Sequence, residues 1–216
     1  MRSRSKTPVE RVLQFCDLLN MIPIRVGQAA AWLLVPMVLL IAYDVIARRY
    51  LRHLDWIIDN DLHHIMNSSK IQDSEWHFSA ALMFLSLGYA AAKNVQIRLD
   101  LFRDRFSART RVAIELAGTV VLWIPYLTVA TIYGYEYVQA AFLTNEQSSV
   151  LTGLPNRWII KSTLAIGFTL TLLAALSFVL RATIWLWGPY EYRAHTRLED
   201  ISGDSEVADQ DPSRSS

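Results

Sequence analysis

Hydrophobic residues in this chain are concentrated in four segments, and polar stretches rich in charged residues separate them. A helix needs about 20 apolar residues to cross the hydrocarbon core of a bilayer. Each segment must be helical there, because lipid offers no hydrogen-bond partner to a bare backbone. The pattern therefore predicts four membrane spans, at Val26–Ala47, Trp76–Ala92, Val112–Tyr133 and Trp158–Leu186.

The second of these segments has only 17 residues and needs a helical extension upstream. Ser69 and Gln72 form an S-x-x-Q pattern, which is typical of a capping box at the start of a helix. A helix that begins there and continues through Glu75 and Trp76 would supply the missing length.

The N-terminal region, residues 1–25, begins with a polar stretch and continues as an amphipathic helix over Pro8–Ile22. This helix is too short to span a membrane, so it is expected to lie in the membrane interface or against a partner. A soluble helix that caps the bundle is the alternative. Its apolar positions recur at helical spacing and are Val9, Val12, Leu13, Cys16 and Leu19.

Basic residues near the N-terminus resemble the start of a signal peptide. However, the apolar run that begins at Val26 has 22 residues, whereas the hydrophobic region of a signal peptide has about 7–15. We therefore interpret Val26–Ala47 as a retained span.

The fold class that follows is an all-α integral membrane protein, in which four transmembrane helices are joined by an N-terminal amphipathic helix and short interfacial helices. One interfacial helix is expected before the third span, with Ser107 as the N-cap of that span. The membrane domain covers residues 26–190. The tail, residues 191–216, is polar and acidic and is predicted to be disordered.

The distribution of basic residues predicts the orientation in the membrane, because Lys and Arg concentrate in cytoplasmic loops. Fifteen of the 21 Lys and Arg residues lie in the N-terminal region, the second loop and the tail, against five in the other two loops. Both termini should therefore be cytoplasmic. Arg48 and Arg49 lie on the opposite side in this arrangement.

The predicted spans have uncharged interiors. Ionisable residues inside a membrane usually mark ion paths, proton relays or substrate anchors, so their absence argues against a carrier that acts alone. The stretches without Asp, Glu, Lys, Arg or His are residues 27–43, 78–92, 116–135 and 162–180.

Prolines and small residues are the other notable features of the spans. Pro36 and Pro125 lie at comparable depths in the first and third spans, so each either bends its helix or marks a two-plus-two repeat. Small residues recur four apart and favour close helix packing. These pairs are Gly27 with Ala31, Gly88 with Ala92, and Gly167 with Thr171.

Composition excludes several functions. The net charge of +1 gives no basic field for nucleic acid. The single cysteine, Cys16, permits no internal disulfide, and the adjacent His63 and His64 do not share a helix face, so no metal site is predicted. No haem pair, nucleophile or phosphate-binding glycine loop is readable, so we predict neither an enzyme nor a bound cofactor.

Three stretches together resemble a known family. Ser74-Glu75-Trp76-His77 precedes the second span, residues 94–100 (NVQIRLD) follow it, and residues 153–161 (GLPNRWIIK) precede the fourth. In order and spacing they resemble the small permease subunit, of DctQ type, of tripartite ATP-independent periplasmic (TRAP) transporters. Gln96, Ile97 and Leu99 depart mildly from the family's pattern. The resemblance covers about residues 25–190.

This resemblance implies a role as the small subunit of a sodium-driven transporter in the bacterial inner membrane. The implied partners are a large permease, which carries the substrate and sodium sites, and a periplasmic solute-binding protein. Family members usually serve uptake of carboxylates, and nothing in this chain selects one of them. The alternatives are a stand-alone channel or carrier and a membrane electron-transfer subunit.

Six residues are candidates for structural or interface roles within this interpretation. Arg98 and Asp100 either pair to hold the loop helix, contact the large permease, or form a solvated surface pair. Glu75 and Trp76 are expected to define the outer end of the second span. Arg157 and Trp158 belong to the motif at the start of the fourth.

Overall fold

A computed structural model describes residues 7–50, 69–95, 106–148 and 154–196, together with Leu198 and Ile201. All regular secondary structure in these residues is helical. The α-helices are α1 Pro8–Ala31, α2 Leu34–Arg49, α3 Ser69–Ala92, α4 Ala108–Gly118, α5 Ile124–Leu143 and α6 Trp158–Trp187, with a π-helical turn Thr119–Trp123 and a 3₁₀ helix Tyr190–Thr196. The predictions for His63, His64, Arg98 and Asp100 fall outside the described residues.

The first helix begins with a complete capping box. Thr7 Oγ1 accepts a hydrogen bond from the Glu10 backbone N–H at 3.4 Å, and Glu10 Oε2 accepts one from the Thr7 N–H at 3.1 Å. The helix continues past Ile22 to Ala31, so the predicted amphipathic segment is not separate from the first span. Pro23 is buried inside the helix, where packing against neighbouring helices tolerates a missing backbone donor.

The break between α1 and α2 has an identifiable cause in Pro36. Proline lacks the N–H that would bond the carbonyl four residues earlier, which is that of Trp32. That carbonyl accepts instead from the Val35 N–H at 3.3 Å, so the chain tightens for one turn at Trp32 and Leu33. Pro36 therefore acts as a helix breaker.

Pro125 lies in the first turn of a helix and does not interrupt one. The five residues before Ile124 form a π-helical turn, in which the Ile124 N–H bonds the Thr119 carbonyl, and α5 begins with Pro125 near its N-terminus. A π-helical turn widens a helix locally and is a recognised cause of kinks. Ser107 caps α4, as predicted, by accepting a hydrogen bond from the Thr110 N–H at 3.4 Å.

Helix α3 packs against α1, α2 and α6, and α6 in turn contacts α1, α4 and α5. It begins at Ser69, which supplies the predicted upstream extension and places Ser69 inside the helix. The three helical segments long and apolar enough to cross a membrane are Pro8–Arg49, Ala108–Leu143 and Trp158–Trp187, among the residues that could be searched. Helix α3 is less apolar and is not among these three segments.

Glycines bring the central helices into close contact, as the small-residue pattern predicts. A Cβ atom added at Gly167 of α6 would lie 2.8 Å from the carbonyl carbon of Phe84 in α3. A Cβ added at Gly88 of α3 would lie 2.6 Å from Leu170 Cβ and 3.1 Å from Pro23 Cβ. Gly27 of α1 lies just as closely against Tyr89.

The chain after α6 folds back onto the bundle. Leu198 is 4% exposed and Ile201 is fully buried, and both join an apolar cluster with Val112 of α4 and Trp185 of α6. The described structure thus continues past the predicted tail boundary at residue 191, because these apolar residues have a core to cover.

Candidate interface residues and polar clusters

Glu75 lies beside an ion pair on the neighbouring helix, in which Asp44 is buried and Arg48 is exposed. Asp44 of α2 is 7% exposed and accepts from Arg48, with Oδ1 3.0 Å from Nε and Oδ2 2.6 Å from an Nη atom. Gln72 of α3 accepts from Arg48 Nη1 at 2.9 Å when its amide oxygen faces the guanidinium. Glu75 Oε1 is buried near this group and has no hydrogen-bond partner among the described residues.

This pairing explains how Asp44 is accommodated in an apolar helix. A buried charge is costly unless it is paired and hydrogen-bonded, and Arg48, whose side chain is 41% exposed, supplies both contacts. The spacing of Asp44 and Arg48, four apart on one helix, already permits the contact. Glu75 and Arg48 thus belong to a joint between α2 and α3.

Trp76 points away from that joint. Its side chain is 76% exposed. Together with Arg157 and Lys161 it lines an open groove of about 450 Å³ between α3, α5 and α6. Glu75 therefore faces α2, whereas the adjacent Trp76 lies on an exposed surface beside the groove.

Arg157 and Trp158 stabilise the connection between α5 and α6. Arg157 donates its backbone N–H to the Glu146 carbonyl at 3.2 Å, and its guanidinium lies 3.8 Å from the Glu146 carboxylate. The Trp158 ring meets the Phe142 ring edge-on, with centroids 5.4 Å apart. Such ring pairs contribute about 0.5–1.5 kcal/mol beyond area burial.

Lys161 completes this cluster one turn further along α6. Its ammonium group pairs with the Glu146 carboxylate and lies 3.7 Å from the centroid of the Tyr137 ring. A cation over an aromatic face in a partly desolvated site is stabilised by the ring quadrupole. Lys161 therefore connects α6 to α5, through Tyr137, and to the segment after α5, through Glu146.

Asp73 ties α3 to the same connection. Its Oδ2 atom accepts from the Leu154 backbone N–H at 3.1 Å, and the Leu154 carbonyl accepts from the Ser148 N–H at 3.3 Å. A side-chain hydrogen bond from Ser148 is the main cause that lowers the pKa of Asp73, with smaller contributions from Leu154 and from the charges of His77 and Arg157. Asp73 precedes the predicted second span.

We expect Asp73→Asn to destabilise the protein by about 1 kcal/mol at pH 7, since one hydrogen-bonded carboxylate is lost. Because the folded-state pKa lies below the usual value of about 4, this contribution is present above that value and disappears as the pH falls through the folded-state pKa. Thermal unfolding of purified protein in detergent, between pH 7 and 3, should show the two proteins converging at acid pH. The exposed carboxylate Glu191, replaced by Gln, is the control. A gap for Asp73→Asn that stays constant with pH would contradict the assignment.

A second polar cluster lies at the opposite end of α6. Arg181 is 5% exposed, and one of its Nη atoms lies 2.7 Å from Asp17 Oδ1 on α1 while the other donates to the Thr196 carbonyl at 3.2 Å. Nearby, the buried Ser177 hydroxyl donates to the Cys16 carbonyl at 3.1 Å. Sequence reasoning missed this cluster, because its partners are up to 164 positions apart.

Hydroxyl groups inside the apolar helices are mostly satisfied by their own helix. Five threonines each donate to the carbonyl four residues earlier at 2.8 Å, and this local bond removes the need for a polar partner in the membrane. They are Thr119, Thr128, Thr169, Thr171 and Thr183. Thr131 Oγ1 is an exception, buried without a partner among the described residues.

Apolar helices of this length and the absence of strands in the described residues define a helical integral membrane protein, with charged groups paired near the helix ends. A family model matches residues 37–184, and its description is "Tripartite ATP-independent periplasmic transporters, DctQ component". The chain belongs to this family. No curated protein and no solved structure gives a significant match.

Membership confirms the resemblance read from residues 74–77, 94–100 and 153–161. It makes the chain the small subunit of a TRAP transporter, a component of a bacterial transport complex and not a catalyst. Complexes of this family also contain a large permease and a binding protein.

Proposed function

We propose that this subunit is a scaffold in the bacterial inner membrane, which holds the large permease while that partner moves the solute. The observation that carries the proposal is the chemistry of the helix interiors. In the described spans the threonine hydroxyls are bonded mainly within their own helices, and two charged pairs, Asp44 with Arg48 and Asp17 with Arg181, lie near helix ends. A solute path needs polar groups free to bind cargo at membrane depth. The close contact between α3 and α6 favours a supporting role for this subunit over a path for solute.

The complete transporter is then expected to use a sodium gradient to take up a small carboxylate that the binding protein delivers. Liposomes that contain the small subunit alone, the large permease alone, or both test this division of labour. We expect uptake only with the permease, the binding protein and an inward sodium gradient, and increased uptake when the small subunit is present. Solute uptake by the small subunit alone would overturn the scaffold and favour a stand-alone carrier.

We propose further that α3 crosses the membrane, although its hydropathy is below that of the other three segments. Its 24 residues extend about 36 Å at 1.5 Å per residue. This exceeds the hydrocarbon core of about 30 Å, so about one turn at the N-terminal end, as far as Asp73, lies outside the core. Its contacts with α1, α2 and α6 support this, because a helix packed against protein on several sides tolerates more polar residues.

Four crossings place both termini on one face, whereas three would place them on opposite faces. We expect reporter fusions at Met1 and Ser216 both to report a cytoplasmic location, in agreement with the bias of basic residues. A fusion after residue 148, in the connection between α5 and α6, serves as the periplasmic control. Termini on opposite faces would exclude α3 as a span.

Trp76 is our candidate contact with the large permease. An exposed aromatic ring beside a groove with basic residues has the composition of an interface centre, where Trp and Arg are enriched. We expect Trp76→Ala to reduce by several-fold the amount of permease that co-purifies with the tagged small subunit. Trp187→Ala is the matched control, since Trp187 is 69% exposed at the other end of the bundle. Equal yields from both variants would remove Trp76 from the interface.

Arg98 and Asp100 remain proposed contacts of the cytoplasmic loop, either with each other or with the permease. The same co-purification applies to alanine variants at these positions. Arg157 and Trp158 are better supported as internal fasteners of the α5–α6 connection, because their contacts with Glu146 and Phe142 are within the chain.

A further inference from the structure

A charged cavity of about 590 Å³ lies between α1, the C-terminal end of α3, the C-terminal half of α6 and the segment after it. Among the described residues that line it, the cations are Arg25, Lys93 and Arg181, and the only acid is Asp17. Asp17 is paired with Arg181. The cavity therefore has an excess of positive charge and attracts an anion.

Two residues that line this cavity each have a buried polar atom without a hydrogen-bond partner among the described residues. Arg181 is 95% buried, since its exposed fraction is 5%, and its Nε is one of these atoms. The other is Oδ1 of Asn20. Buried polar groups in folded proteins are almost always satisfied. A ligand that offers both an acceptor to Arg181 and a donor to Asn20 would satisfy both.

An apolar groove of about 680 Å³ continues from the charged cavity. The two share the lining residues Ala91, Asn94, Ala174 and Phe178. Beyond them the groove follows the π-helical turn, where Leu122 and Trp123 line it. Gly118 also lines it and has open space within 4 Å of the position of an added Cβ.

Glu115 is the one acidic residue that lines the groove among the described residues. It is not part of the charged cavity, so the three cations there keep their excess over Asp17. A positively charged cavity that opens into an apolar groove between membrane helices matches a molecule with an anionic head and a hydrocarbon tail.

We propose that this combined cavity binds an anionic glycerophospholipid. The phosphate accepts hydrogen bonds from Arg181, Arg25 and Lys93, and a hydroxyl of the head group donates to Asn20. One acyl chain lies in the groove beside the π-helical turn. Phosphatidylglycerol has both the charge and the hydroxyls, whereas phosphatidylcholine has neither net charge nor a head-group donor.

The test uses the full-length chain, purified in detergent and stripped of lipid. Phosphatidylglycerol and phosphatidylcholine with identical acyl chains are added separately, and bound lipid is counted by native mass spectrometry. Thermal unfolding is followed in parallel, with inorganic phosphate as a third ligand. We expect phosphatidylglycerol to bind about tenfold more tightly than phosphatidylcholine and to raise the melting temperature, and phosphate alone to do neither.

Variants separate the two parts of the site. Lys93→Gln should weaken phosphatidylglycerol binding severalfold, while Arg11→Gln, a change of an exposed cation elsewhere on α1, should not. Gly118→Leu should weaken it by occupying the groove, since the added Cβ meets nothing within 4 Å. Equal binding of the two lipids, equal effects of Lys93→Gln and Arg11→Gln, or full binding in Gly118→Leu would each overturn the proposal. An equal stabilisation by inorganic phosphate would show a soluble-anion site and overturn the lipid assignment.

Discussion

Gly167→Ala is expected to lower the stability of the purified subunit by about 3 kcal/mol, near the upper end of the range for an overpacked core. The added Cβ would lie 2.8 Å from the carbonyl carbon of Phe84, and the atoms it meets are largely backbone. A backbone cannot rotate away as a side chain can, so α3 and α6 must separate along part of their contact. Membrane helices depend on such contact, because lipid supplies no hydrophobic force between them.

Gly118→Ala is the matched control for this change. It is the same substitution in a helical segment, but nothing lies within 4 Å of the added Cβ. Its expected effect is neutral or slightly stabilising, since alanine favours a helix over glycine by up to about 1 kcal/mol. Thermal unfolding in detergent, followed by tryptophan fluorescence, compares the two. A melting temperature for Gly167→Ala equal to that of Gly118→Ala would show that the two helices are not in close backbone contact.

Features carried by local sequence could be predicted from the chain alone. The apolar runs predict the long helices, and Ser107 predicts the cap of α4, because both depend on residues within a few positions of each other. The small residues at Gly27, Gly88 and Gly167 correctly predict close packing. Their partners could not be predicted, since spacing along a helix does not identify the neighbouring helix.

Boundaries and long-range contacts required the structure. The amphipathic segment merges with the first span because Pro23 is tolerated by packing. The break that Pro36 causes ends this helix at Ala31, nine residues after the predicted boundary at Ile22. The candidate residue Glu75 meets Asp44 and Arg48 only because α2 packs on α3. The contact of Asp73 with Leu154 likewise depends on tertiary structure.

The two partners of the ion pair between Arg181 and Asp17 differ in burial. Replacing one of them should therefore destabilise the protein more than replacing the other. The Arg181 side chain is 5% exposed, whereas that of Asp17 is 49% exposed. Asp17→Ala leaves a buried guanidinium whose remaining protein acceptor, among the described contacts, is the Thr196 carbonyl. Arg181→Met leaves a carboxylate that water can reach and fills the site with a side chain of similar length. We therefore expect Asp17→Ala to be the more damaging change.

Removal of one partner from a fully buried pair costs about 3–5 kcal/mol, and replacement of both by apolar residues is often neutral. Because Asp17 is half exposed, we expect a smaller loss of about 2 kcal/mol for Asp17→Ala, and under about 1 kcal/mol for Arg181→Met. The double variant should resemble Arg181→Met, because the charge that Asp17 compensates is then gone. Unfolding of the four proteins in detergent without added phospholipid gives the coupling energy between the two sites. Strictly additive effects would mean that the two charges do not stabilise each other, and that α1 is held against α6 by apolar contacts and by the bond between Ser177 and the Cys16 carbonyl.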